Sequence, residues 1–92
     1  MGPQRLFSRA EQALKDRRYL DAIGYCRDLI AQSPDFGPAW HLLAVAAGAV
    51  RDLPLALTGA QEAVRWLPTH AEVWANLGTI RLVVRDPGAA VD

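Results

Sequence analysis

The sequence has one cysteine, Cys26, which excludes an internal disulfide and cannot hold a zinc ion alone. It has one lysine, Lys15, beside nine arginines, and no net charge, because ten acidic and ten basic residues balance and intermingle along the chain. No basic stripe is left to neutralise phosphates, so nucleic acid is not an expected partner. No apolar run approaches the ~18 residues of a membrane span. The opening stretch MGPQRLFSRAEQALKDRR is studded with charge where a signal peptide would carry an apolar core. Leu6 stands where a myristoylation motif needs Ser or Thr. No membrane partner is expected, and the chain reads as cytoplasmic. The arginine bias and abundant alanine suit a GC-rich bacterial genome.

Chemistry-bearing clusters are also missing. His41 and His70 are the only histidines, and neither has a carboxylate or cysteine at a helical spacing that would make a ligand pair. Glu11, Glu62 and Glu72 are spread along the chain and form no dyad. The glycines of GPQ, FGP and DPG are turn glycines, not a phosphate-cradling loop. No catalytic, cofactor-binding or metal site is expected.

What is present is apolar and periodic. With 51% hydrophobic residues the chain is not a disordered one. At 92 residues it is one domain, whose fold hides only about 60–65% of the surface its unfolded chain exposes. Shifted against itself by thirty-four residues, the sequence superposes Trp40 on Trp74, Leu43 on Leu77 and Pro34 on Pro68. Ala10, Ala44 and Gly78 share a column, as do Ala22, Ala56 and Ala90, and Arg17, Arg51 and Arg85. Six columns at one spacing are the mark of a structural repeat.

Each unit reads as two helices. QRLFSRAEQALK places Leu6, Ala10, Ala13 and Leu14 at spacings of three and four. YLDAIGYCRDLIAQ places Ala22, Ile23, Cys26, Leu29 and Ile30 on one stripe. PAWHLLAVAAGAV is apolar enough to be buried on more than one side. LPLALTGAQEAVRWL and AEVWANLGTIRLVV follow, and nothing alternates with period two, so the class is all-α. Pro34 and Pro68 stop helices, while Pro38 and Pro54 suit a helix's first turn. Asp52 and Asp86 are expected N-caps, a place taken in the first unit by Arg18.

These residues resemble the tetratricopeptide repeat. The likeness rests on W-x2-L-[GA] at Trp40, Leu43 and Ala44, and again at Trp74, Leu77 and Gly78. It continues through Ala56, Ala60, Ala63 and Pro68, and in the first unit through Tyr19, Ala22, Leu29 and Pro34. Leu6 and Arg9 depart from the pattern, and Arg17, Arg51 and Arg85 occupy a turn position that is usually glycine. The resemblance implies an α-solenoid of antiparallel helix pairs, with units at 3–36, 37–70 and a truncated 71–92, that is, five full helices and the start of a sixth. Ala10, Ala22, Cys26, Trp40, Leu43, Ala44, Ala56, Ala60, Trp74, Leu77 and Gly78 are its expected core. Each tryptophan would then pack one helix of a pair on the other and cost about 3–5 kcal/mol to truncate to alanine. With the third unit cut short, Trp74, Leu77, Ile80 and Val84 are expected to risk exposure.

In such solenoids the first helices of successive units line a concave face. Here that face would carry Gln4, Phe7 and Glu11, then His41, Val45 and Gly48, then Glu72, Asn76 and Thr79. Some members clamp a partner's terminal carboxylate with Lys and Asn on this face. The matching places hold Phe7, Glu11, Leu42, Glu72 and Asn76, which do not suit that use. Asn76 resembles the asparagine with which sugar-transferring members hold peptide backbone. The expected function is a scaffold that binds a partner protein or peptide and does no chemistry. Two alternatives stand beside it. One is the repeat arm of a bacterial sulfotransferase, glycosyltransferase or hydroxylase whose catalytic domain lies beyond Asp92. The other is a unit that self-associates through its open third repeat.

Overall fold

The computed structural model describes residues 2–85. It holds five helices: α1 (Pro3–Lys15), α2 (Tyr19–Gln32), α3 (Gly37–Ala49), α4 (Leu53–Trp66) and α5 (Ala71–Arg85). No strand occurs among the described residues. The first helices of the pairs begin at residues 3, 37 and 71 and the second at 19 and 53, so the interval of thirty-four seen in the sequence is also the interval of the helices. The expected sixth helix, with Asp86 as its cap and Ala90 on its inner face, lies outside the described residues. None of the five helices is long and apolar enough to cross a membrane.

The turns inside the pairs explain how a chain without glycine there reverses. Arg17 and Arg51 adopt left-handed backbone, with φ of 60° and 63°. Arg18 N–H donates to Ala13 O at 2.8 Å and Arg17 N–H to Leu14 O at 3.1 Å. Asp52 N–H to Ala47 O at 2.9 Å and Arg51 N–H to Gly48 O at 3.2 Å repeat the pattern. These are Schellman caps, which satisfy the last carbonyls of α1 and α3 and point the chain back on itself. The residue that closes each cap also opens the next helix. Asp52 does so with a side chain that accepts from Leu55 N–H at 3.3 Å. Arg18 has no such acceptor, and its guanidinium reaches Asp21 at 2.7 Å instead. Arg85, the third residue of the arginine column, is the last of α5.

Packing runs in chain order. Each helix lies against the one before it, and α3 also touches α1 and α5. The overall extents of 40 × 27 × 18 Å are those of helices laid side by side in a slab. α3 is therefore covered on several sides, and Ala39, Leu43, Ala44, Ala46 and Ala47 are all buried. The closest approach is between α3 and α4: a β-carbon added to Gly59 would lie 3.1 Å from Ala44 N and Trp40 O. The interior is otherwise built from small side chains, with Ala10, Ala22, Cys26, Ala56 and Ala60 fully shielded and Leu43 and Leu77 nearly so. No polar or charged residue is buried among those described.

Two expected core residues are not in the core. Trp74 is 48% exposed, and Gly78 lies on the same open side. Their counterparts on α3, Trp40 and Ala44, face α4, whereas no described element covers that face of α5. Val84 is exposed as expected, but Leu77 and Ile80 are buried because they point the other way, into the cluster that α3 and α4 share. Neither tryptophan is a purely apolar knob. Trp40 Nε1–H donates to Pro34 O and Trp74 Nε1–H to Pro68 O, each at 2.7 Å. Each indole thus ties the start of its helix to the turn that precedes it, six residues back.

Candidate functional site

The side chains free to meet a partner follow from which face each helix buries. α1 turns Leu6, Ala10 and Ala13 inward and α5 turns Val73, Leu77 and Ile80 inward. α3 lies between these helices and touches both. Along this α1–α3–α5 side the surface sinks into two hollows.

The first has a volume of about 360 Å³ and is lined by Phe7, Glu11, Pro38, His41, Leu42, Leu67, His70, Glu72 and Val73. That is within the ~300–1,000 Å³ of ligand-sized clefts. The second, about 230 Å³, is lined by Ala44, Val45, Gly48, Arg51, Leu53, Asn76, Thr79, Ile80 and Val83. Eight of the nine residues placed on the concave face from the sequence line one hollow or the other. Gln4 does not. It shares a shallow depression with Arg5, Ser8 and Arg9 of its own helix, where no second helix contributes a wall.

Several wall residues were not singled out in the sequence. Leu67 and His70 belong to the turn between α4 and α5, and Gly37 leaves the room that Leu67 takes. A β-carbon on Gly37 would come within 2.5 Å of Leu67 Cγ. The glycine of FGP was the available signal, and it reads as an ordinary turn residue unless the opposing leucine is known. Phe7 is held by an edge-on contact with Phe36, ring centroids 5.4 Å apart at 83°, so its ring is a fixed wall.

Two polar side-chain atoms of the hollows stand apart from the rest. His41 Nδ1 and Asn76 Nδ2 are shielded from solvent without a hydrogen-bond partner among the described residues. A shielded polar atom without a partner costs about 1–3 kcal/mol unless a water or another group satisfies it. Burial lowers the pKa of His41; Glu72 opposes the shift and His70 adds to it. His41 is therefore neutral at pH 7, and the acidic side chains of the first hollow are Glu11 and Glu72.

Among the described residues no three of His, Cys, Asp and Glu converge as metal ligands would. Cys26 is fully buried between α1, α2 and α3, and burial pushes its thiol up to about 12. At that value it is a core side chain and not a nucleophile. No protein-family model matches the chain, and no curated protein was found to resemble it.

Proposed function

We propose that this chain is a binding scaffold of the tetratricopeptide kind, which holds a segment of a partner protein along the α1–α3–α5 side and does no chemistry of its own. The observation that carries the reading is the convergence of eight residues from three helices on two hollows of one side. An extended peptide laid along the side would run over both hollows and meet side chains of all three helices. The apolar part of the walls, Phe7, Leu42, Val45, Val73 and Ile80, adds a gain from surface burial.

The test is selection of peptides from a random display library against the whole chain, followed by calorimetric titration. Thr79→Arg is the blocking variant, because Thr79 is exposed, lines the second hollow and bonds only to Ala75 O of its own helix. The selected peptides should bind the natural chain and lose at least tenfold in affinity for Thr79→Arg, with the thermal midpoint unchanged. Equal affinity for the two would place binding elsewhere.

A second reading has an observation of its own. Trp74, Leu82 and Val84 are exposed at 48%, 57% and 42%, all on α5. Exposed apolar side chains grouped on one helix favour association with another surface, and two copies could cover each other there. Sedimentation across a hundredfold range of concentration separates the cases: a mass that stays at 10.0 kDa removes self-association, and one that doubles supports it.

A further inference from the structure

The first hollow differs from the second in its charge. Glu11 enters it from α1 and Glu72 from α5, so two carboxylates from helices far apart in the chain flank one space. No lysine or arginine lines it. Neither glutamate forms an ion pair among the described residues, where the pairs are Arg18–Asp21 and Arg65–Glu62. The same hollow is lined by apolar Phe7, Leu42, Leu67 and Val73 and by the exposed His70. His41 is the remaining inner group, with its Nδ1 shielded and unpartnered.

We infer that the first hollow is a subsite for a lysine or arginine side chain of the bound peptide, and that this residue sets the partner's specificity. The inference rests on the scaffold reading above. A basic side chain has an apolar stem and a charged head, and such side chains settle with the stem on apolar surface and the head at its polar edge. The hollow offers that combination, apolar walls together with two exposed carboxylates. An acidic side chain would meet like charge from both sides. An aliphatic one would fill the walls and leave both carboxylates partly dehydrated with nothing in return. Burial lowers the pKa of His41, so that side chain adds no positive charge to the site at pH 7. Two carboxylates also act together on one cation, which raises the attraction over that of a single exposed pair.

The experiment uses four pools of fluorescein-labelled nine-residue peptides, capped at both ends, with random flanks and a central residue fixed as Lys, Arg, norleucine or Glu. Norleucine keeps the stem of lysine and removes its charge. Binding is read by anisotropy with the whole chain at low salt. The Lys and Arg pools should bind about three- to tenfold tighter than the norleucine pool, and the Glu pool weakest. In Glu11→Gln/Glu72→Gln the Lys pool should fall to the norleucine level while the norleucine pool is unmoved. Both substitutions are at exposed helix positions, so the fold is retained. Equal binding of the Lys and norleucine pools, with both lost in Thr79→Arg, would overturn the basic subsite and leave the scaffold reading standing. Binding of every pool unchanged in Thr79→Arg, or no binding by any pool at millimolar peptide, would overturn both.

Discussion

Two glycines in comparable settings should respond in opposite ways to the same substitution. Gly24 is in the interior of α2 and exposed, and a β-carbon there would meet nothing within 4 Å. Gly24→Ala therefore gains the helix propensity difference, about 0.8–1 kcal/mol, with no packing penalty. Gly59 is in the interior of α4, and a β-carbon there would lie 3.1 Å from Ala44 N and Trp40 O and 3.2 Å from Ala44 Cα. All three atoms are backbone of α3, so no side chain can swing aside. Ordinary carbon contacts sit at about 3.5–4.0 Å, and relief means moving two packed helices apart by a few tenths of an ångström. Overpacking of this kind costs about 1–3 kcal/mol, which exceeds the propensity gain. Gly59→Ala should be destabilising by about 1 kcal/mol and Gly24→Ala stabilising by about the same. In a chain of this size each kcal/mol moves the midpoint by about 4–8 °C. Thermal melts followed by circular dichroism at 222 nm should thus place the two variants on opposite sides of the natural chain, about 8–16 °C apart. If Gly59→Ala is as stabilising as Gly24→Ala, α3 and α4 are not in backbone contact and the packing described here is wrong.

Further outcomes follow from the same structure. Trp40→Phe keeps an aromatic ring but loses the 2.7 Å bond to Pro34 O, and should cost about 0.5–1.5 kcal/mol in urea denaturation; Trp74→Ala, at a half-exposed site, should fall below the 3–5 kcal/mol that a buried tryptophan costs. Arg17→Gly should stabilise by about 0.5–1 kcal/mol, because it relieves a left-handed non-glycine residue while making the unfolded chain somewhat more flexible; a loss of stability in the melt would contradict the observed φ. Cys26 should resist a thiol reagent until the chain unfolds. Its folded pKa is raised to about 12 from the ordinary 9.0, so the folded chain keeps a proton that the unfolded chain gives up. The stability this contributes is complete below pH 9 and is lost as pH rises from 9 towards 12, by about 1.4 kcal/mol per unit. Cys26→Ala should flatten that decline in denaturation curves taken across the same range.

The helices and their interval were legible because burial recurs with the repeat: Ala10 and Ala44 are in one column and equally hidden, as are Ala22 and Ala56. The exposure of Trp74 and Gly78 was not legible from that column. A repeat gives a residue's place on its helix, and only the structure shows whether a neighbour lies over that place. Arg17 and Arg51 were recognisable as turn residues, yet their left-handed backbone depends on hydrogen bonds from Arg18 and Asp52 that no single residue type signals. The Gly59 contact escaped the comparison of units because Tyr25 stands at the same place in the first one. The candidate strip was read within helices, which found Phe7, His41 and Asn76 and missed Leu67 and His70, carried into the hollow by a turn. Gln4 fitted the helical spacing and still fell outside, because spacing along α1 does not say how far α3 extends beside it.

The claim that the α1–α3–α5 side is the binding face is tested most directly by mapping amide shifts of the isotope-labelled chain during titration with a display-selected peptide. The account predicts that the largest changes fall on Phe7, Glu11, His41, Val45, Asn76 and Thr79, with Leu20, Gly24, Gln61 and Arg65 unmoved. Changes centred on those last four residues, all exposed on α2 and α4, would contradict it.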